Sequence, residues 1–168
     1  MEKDNYVQGF KLIAAYQLIG GALGAFRLAS FVFQLQVFSL LLIFLVIAGF
    51  SLFLFSMYAG ILLFKRDSNA LQLSLVNHYL QLFSVAGPAF LCNYVAGISV
   101  LLGLDLTNGF HVELNASLSD YTISVESGMT KRFLGFNLVA FGFIFYLHHA
   151  IKDISRERIR DQIDSIGS

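Results

Sequence analysis

Five polar or small residues in one uncharged stretch of the chain have spacings that suit one face of a helix. They are Asn77, Gln81, Ser84, Pro88 and Cys92. Residues that recur every three or four positions lie on the same side of an α-helix. An unpaired amide in hydrocarbon is costly, so we expect this face to meet water, another helix or a second subunit. It either lines a pore or cavity, or holds helices together by hydrogen bonds.

Three histidines could supply imidazole chemistry. His78 lies in the same stretch, and His148 and His149 stand at the end of the last apolar stretch. Imidazoles bind zinc or haem iron and relay protons, but no carboxylate or thiolate lies nearby in the apolar stretches to complete or orient a site. Hydrogen bonding at a membrane interface is the simpler interpretation. We therefore predict no cofactor, no bound metal and no catalytic residue.

The first apolar stretch carries a packing pattern and one charge. Gly20 and Gly24 have the Gly-xxx-Gly spacing, and Gly21 lies beside them, which favours close approach of two helices. Arg27 follows within a turn, and a charge inside a span is a candidate functional group. Its long side chain can also reach the membrane surface. The alternatives are an anion-attracting ring in an oligomer or an ion pair with a carboxylate such as Asp105.

The elements that position these residues are indicated by composition. Of the 168 residues, 57% are hydrophobic and 13% are charged, with a mean hydropathy of +0.70. Soluble domains average about 45–50% apolar and 25% charged residues, so we predict an integral membrane protein. The 11 basic and 11 acidic residues cancel, which excludes a basic surface for nucleic acid. The single cysteine excludes an internal disulfide.

A helix needs about 20 apolar residues to cross a bilayer, and four stretches meet or approach this length. They cover residues 10–31, 37–64, 71–104 and 133–151. The predicted fold is an all-α membrane protein, a bundle of four transmembrane helices in a single domain over 1–168. A small external β-hairpin or meander is expected between the third and fourth spans.

Basic residues indicate the orientation of these spans. Cytoplasmic connections are enriched in Lys and Arg. Eight of the basic residues fall on one side of the predicted bilayer. We therefore predict an integral protein of a cell or inner membrane with both termini in the cytoplasm. These eight are Lys3, Lys11, Lys65, Arg66, Lys152, Arg156, Arg158 and Arg160.

The parts outside the predicted bilayer are one connection and the C-terminal tail. Within 105–132, Asn108-Gly109 is a hairpin signal, and alternating polarity predicts strands at 110–114 and 121–126. Asn115 begins a glycosylation tripeptide, Asn-Ala-Ser. Dense alternating charge over 152–166 predicts a cytoplasmic helix.

Three functions compete. We expect a homo-oligomeric channel or membrane-permeabilising effector, with the polar stripe of the third span lining the pathway. The alternative is a non-catalytic accessory or scaffold subunit that binds a larger membrane protein complex. A membrane enzyme, haem protein or proton relay built on the histidines is the third choice. The lipid bilayer and further copies of the chain are the expected partners.

Overall fold

A computed structural model describes residues 2–35, 39–125 and 132–166. Two long helices are followed by a short helix, by strands that form one sheet, and by a C-terminal helix. The elements of the described chain are α1 (Glu2–Val32), α2 (Leu40–Lys65), α3 (Ala70–Leu80), β1 (Phe83–Ala86), β2 (Phe90–Asp105), β3 (His111–Val125), β4 (Phe133–Asn137) and α4 (Leu138–Ile166).

Helices α1 and α2 form an antiparallel hairpin. Ser39 caps α2 by accepting a hydrogen bond from the backbone N–H of Leu42, and Arg66 ends it in the left-handed conformation. The two backbones approach closely, because a Cβ added at Gly21 would lie 2.8 Å from the carbonyl oxygen of Phe53. Both helices are long and apolar enough to cross a membrane, over Tyr6–Val32 and Leu40–Lys65.

The strands form an antiparallel sheet in the order β1-β4-β2-β3. β2 is long and irregular, with a register shift between Val95 and Ile98 against β3. Gly97 lies in this irregularity with φ of +111°, a conformation that L side chains rarely adopt. On one side of the shift β2 pairs with β1, at Leu91 and Cys92, and on the other it pairs with β4. β3 accompanies β2 on both sides of the shift.

The predicted all-α bundle of four transmembrane helices is wrong, because the described chain combines four helices with a four-stranded sheet. Residues 71–104 do not form one helix: the helix ends at Leu80, and β1 and β2 come after it. A continuous apolar run suits a buried strand as well as a helix, and Gly87-Pro88 separates the strands. The stretch 133–151 likewise begins as β4, and its helix starts only at Leu138.

The predicted external segment is also arranged differently. The chain does reverse at Asn108-Gly109, where Gly109 has φ of +128°. After this turn the chain forms one 15-residue strand paired with β2, where the sequence predicted two short strands. Residues 126–131, the last part of this segment, lie outside the described residues. The C-terminal helix predicted over 152–166 is the second half of α4.

Two apolar clusters fix the hairpin against the other elements. Ile13 of α1 belongs to a cluster that includes Leu75 of α3 and Leu147 of α4. Leu28 and Phe53, near the other end of the hairpin, pack with Tyr94 of β2. The sheet is thus anchored on α1 and α2 at one end of the hairpin, and α3 and α4 cover the other end.

Candidate functional site

A buried polar network joins α1, α2 and α3, and its centre is Gln17. The side chain of Gln17 is completely buried. Its Oε1 accepts a hydrogen bond from Ser74 Oγ at 3.2 Å, and its Nε2 lies 3.3 Å from His78 Nε2. Ser56 Oγ of α2 donates to the backbone carbonyl of Gln17 at 3.2 Å. One glutamine therefore connects three helices through polar contacts within an apolar hairpin.

Asn77 extends the network to the sheet. Its Nδ2 donates to Ser56 Oγ at 3.1 Å, and its Oδ1 lies 3.3 Å from the hydroxyl of Tyr94 on β2. The same hydroxyl donates to the carbonyl of Leu52 at 2.8 Å. Polar side chains in an apolar interior are tolerated where they hydrogen-bond each other, and here they set the position of β2 on the hairpin.

Gln81 and Asn137 form a second part of the network where α3 meets β1 and β4 meets α4. Gln81 Oε1 accepts from the backbone N–H of Ala96 at 3.0 Å. Asn137 Nδ2 donates to the carbonyl of Gln81 at 3.2 Å. Asn137 Oδ1 also accepts from the N–H groups of Val139 and Ala140, which caps the start of α4. A single asparagine thus couples helix initiation to the sheet.

His78 is a neutral packing residue in this setting. Its ring is completely buried, with the rings of Tyr16 and Phe143 at 6.0 and 5.0 Å between centroids. Because the Gln17 amide donates to Nε2, the ring proton belongs on Nδ1, which has no hydrogen-bond partner among the described atoms. Burial lowers the pKa of His78 to about 3. A base of that strength does not suit proton transfer near pH 7.

The five residues predicted on one helix face are spread over three elements and a turn. Asn77 and Gln81 lie on or next to α3, Ser84 lies on β1, Pro88 lies in the β1–β2 turn, and Cys92 lies on β2. The first three are buried, whereas Pro88 and Cys92 are exposed. Their role in lining a pathway stays a prediction. The shared helix face on which that prediction was based does not exist in the structure.

The three histidines are held by separate contacts. His78 contacts Gln17, whereas His148 Nε2 lies 2.8 Å from the hydroxyl of Tyr79. His149 Nε2 lies 3.5 Å from a carboxylate oxygen of Asp153. Across residues 2–35, 39–125 and 132–166, no group of three or more His, Cys, Asp or Glu side chains is arranged to hold a metal ion.

Gly20 and Gly24 of α1 face different neighbours. A Cβ at Gly24 would meet the ring of Phe53 on α2, whereas a Cβ at Gly20 would lie 2.3 Å from the backbone nitrogen of Gly97. In turn, a Cβ at Gly97 would lie 2.5 Å from the ring of Tyr16. The Gly20–Gly97 contact therefore brings the backbone of β2 directly against α1.

Arg27 contacts the sheet. Its Nη1 donates to the carbonyls of Leu118 and Ser119 on β3, at 2.5 and 3.2 Å. Arg27 also lines a cleft of about 380 Å³ between α1, α2 and β3, together with Asp120 and apolar side chains such as Leu45 and Val46. The guanidinium thus connects α1 to the later part of β3.

One face of the sheet is apolar and open. Directly opposed residues on β2 and β3 include Ile98 with Leu118 and Leu102 with Leu114, so these side chains share a face. Together with other exposed apolar side chains of the same face they form what we call the apolar sheet face. Its exposed members are Phe83, Ile98, Leu102, Val112, Leu114, Leu118 and Leu134, which are 44–69% exposed. On β3 the opposite face carries His111, Glu113, Asn115 and Ser117.

Several residues of the polar network were not predicted as site residues from the sequence. Gln17, Ser56, Ser74, Tyr94 and Asn137 are each buried or nearly so and hydrogen-bonded. Gln17 had a usable signal, because a polar amide in a membrane-length apolar stretch seldom faces lipid. Tyr94 and Asn137 had none, since their positions depend on strand pairing.

No known protein family, curated protein or solved structure matches this chain.

Proposed function

We propose that the protein is a non-catalytic, membrane-anchored assembly subunit. In this proposal the α1–α2 hairpin lies in the bilayer and the sheet binds protein. The observation that carries it is the apolar sheet face, which lies beside a hairpin that is itself apolar on its outside. Large exposed apolar patches are typical of surfaces that bind protein or membrane.

Exposure supports a bilayer around the hairpin. The most apolar window of α2 has a mean hydropathy of 2.7, and only 17% of it is buried. Phe44 and Leu54 are exposed by 67% and 58%. A core helix of a soluble protein would bury such side chains, whereas lipid accommodates them at no cost.

The polar network supports a structural role for the interior. The side-chain oxygens of Gln17 and Asn77 accept hydrogen bonds from protein groups, and so does that of Gln81. Groups engaged in this way hold elements in place, which is the role that polar side chains have between membrane helices. Ion conduction stays a prediction without an observation that favours it.

Photo-crosslinking in native membranes tests the proposal. A benzophenone amino acid is placed at Leu102 or Leu134 on the apolar sheet face, with Ser68 in the exposed turn between α2 and α3 as the control. We expect one defined protein adduct from the first two sites and little from the control, and we expect the protein to resist alkaline extraction from the membrane. Lipid adducts alone at Leu102 and Leu134, or release by alkali, would contradict the proposal.

A further inference from the structure

We infer that the protein bound by the sheet is a second copy of this chain, which pairs antiparallel along the outer edge of β3 at residues 111–117. We call this segment the free β3 edge. The inference rests on the proposed function, because it names the protein that the sheet is proposed to bind. It adds a defined register and a two-fold axis.

The first step is the position of β3 at the end of the sheet. β3 pairs with β2 on one side, and it has no strand on its other side in the described part of the chain. The later part of β3 contacts the helical hairpin, where Arg27 donates to the carbonyls of Leu118 and Ser119 and the Tyr121 hydroxyl donates to the carbonyl of Leu45. Residues 111–117 lie before these contacts, and their outward backbone groups make no hydrogen bond to other described residues.

The second step is that this edge lacks the usual protection. Proteins discourage pairing at exposed edges with lysine, proline, bulges or very short strands. β3 is 15 residues long and contains no lysine and no proline. Within the free β3 edge the register against β2 is continuous, from His111 to Ser117. Such an edge is suited to accept another strand.

Backbone hydrogen bonding favours a protein partner over lipid at this edge. Hydrocarbon can cover apolar side chains, but it offers no hydrogen bonds to the N–H and C=O groups of an open sheet edge. An added strand supplies these hydrogen bonds. Since the apolar sheet face reaches the free β3 edge at Val112 and Leu114, one added strand continues the face and closes the edge.

The register between the two copies follows from the alternation of side chains. Side chains alternate between faces, so two copies keep a continuous apolar face only if even-numbered residues oppose even-numbered residues. A two-fold axis through Leu114 sets Leu114 opposite its own copy, Val112 opposite Ala116, and Glu113 opposite Asn115. An axis through Glu113 would instead place two carboxylates opposite each other, which is destabilising.

The resulting assembly has a closed two-fold symmetry, the commonest one for homo-oligomers. Four strands from each copy give one eight-stranded antiparallel sheet. Arg27 already occupies the carbonyls of Leu118 and Ser119, so the overlap is limited to the free β3 edge. The glutamate carboxylate then lies opposite an asparagine amide, which can donate to it across the interface.

Cysteine scanning in isolated membranes tests this register. In a Cys92→Ser background, His111→Cys, Leu114→Cys and Ser117→Cys are oxidised separately, in the full chain. Leu114 is 69% exposed, so its substitution removes little packing. The axis through Leu114 places the two copies of residue 114 within disulfide range, whereas the two copies of residue 111 or of 117 are about 20 Å apart.

We expect Leu114→Cys to give at least about tenfold more disulfide-linked dimer than the two flanking variants, because only its Cα atoms fall within bonding distance. Equal yields at all three positions, or none at 114 in protein that stays in the membrane, would overturn the inference. If 114 fails while the benzophenone at Leu102 still captures a different protein, the assembly function holds and only self-pairing is wrong. If neither probe captures protein, the proposed function fails as well.

Discussion

Hydrogen bonds fix Asn77 between α2 and β2. A substitution at this residue distinguishes a structural role of the network from a role in conduction. Replacing Asn77 by Leu removes the donor to Ser56 and the acceptor for Tyr94. We expect a loss of about 2 kcal/mol in the free energy of unfolding, because two buried hydrogen bonds of about 1 kcal/mol each are lost. That loss corresponds to a melting temperature lower by several degrees.

Thermal unfolding in detergent measures this effect of Asn77→Leu. The matched control is Val76→Ala, one residue earlier on the same helix, where the side chain is 48% exposed. We expect this control to stay close to the wild type. A stable Asn77→Leu variant would mean that the asparagine does not hold the elements together.

The lowered pKa of buried His78 makes the stability of the fold depend on pH. Its folded pKa, about 3, is below the ordinary value of 6.5, so the unfolded chain binds more protons between these values. Stability is therefore complete above about pH 6.5 and falls as the pH is lowered toward 3. We expect a loss of about 2 kcal/mol between pH 7 and pH 5 from this group.

Melting curves at pH 7 and pH 5 test the role of His78, with His78→Gln as the variant. The glutamine does not titrate, so the variant should lose most of this pH-dependent difference whatever its stability at pH 7. The exposed His111→Gln variant is the control and should keep it. A difference that persists unchanged in His78→Gln would show that another group is responsible.

At the residue scale, sequence spacing identified part of the network. Asn77 and Gln81 were recognised because one helical turn separates them and α3 is a helix. Ser84, Pro88 and Cys92 were assigned to the same face by extending that helix through Gly87-Pro88, where it has already ended. Gln17 was not linked to them, since a contact between residues 17 and 78 depends on tertiary packing.

At the scale of elements, the contact between α1 and β2 depends on Gly97. Gly97 has φ of +111°, and an added Cβ would lie 2.5 Å from the ring of Tyr16. We expect Gly97→Ala to destabilise the fold by about 2 kcal/mol or more, because both backbone strain and a steric clash oppose it. Gly142→Ala on α4 is the matched control, since nothing lies within 4 Å of its added Cβ.

Circular dichroism melts of Gly97→Ala and Gly142→Ala measure these effects on stability. Alanine favours helices over glycine by up to about 1 kcal/mol, so Gly142→Ala should melt at or above the wild-type temperature. A Gly97→Ala protein that melts with the wild type would show that the bend of β2 is not held against α1 as the structure has it.

Only part of the arrangement of elements could be predicted from the sequence. α1 and α2 lie within a few residues of the predicted spans at most of their ends, because length and hydropathy alone indicate them. The stretch 71–104 has the same apolar character, but periodicity does not separate a buried strand from a helix in such a run. Its strands depend on pairing with β3 and β4, which are 20 or more residues away in sequence for most pairs.

At the scale of the whole molecule, an apolar hairpin and an apolar sheet face are held together by an interior polar network. The hairpin is long and apolar enough to cross a membrane, and the outward backbone groups of the free β3 edge make no hydrogen bond to other described residues. These two features are the basis of the proposed membrane-anchored assembly subunit. The composition predicted the first feature, whereas the second depends on strand order and became visible only in the structure.

The most direct test of this account is native mass spectrometry of the full-length protein released from lipid nanodiscs, with the same preparation assayed for ion flux in liposomes. We predict a defined complex without ion flux. Its mass is either a multiple of the 18.7 kDa mass of the chain or the mass of the chain together with a stoichiometric protein partner. A monomer that carries only lipid would contradict the account. So would ion flux that is lost in Asn77→Leu while assembly and melting temperature are unchanged.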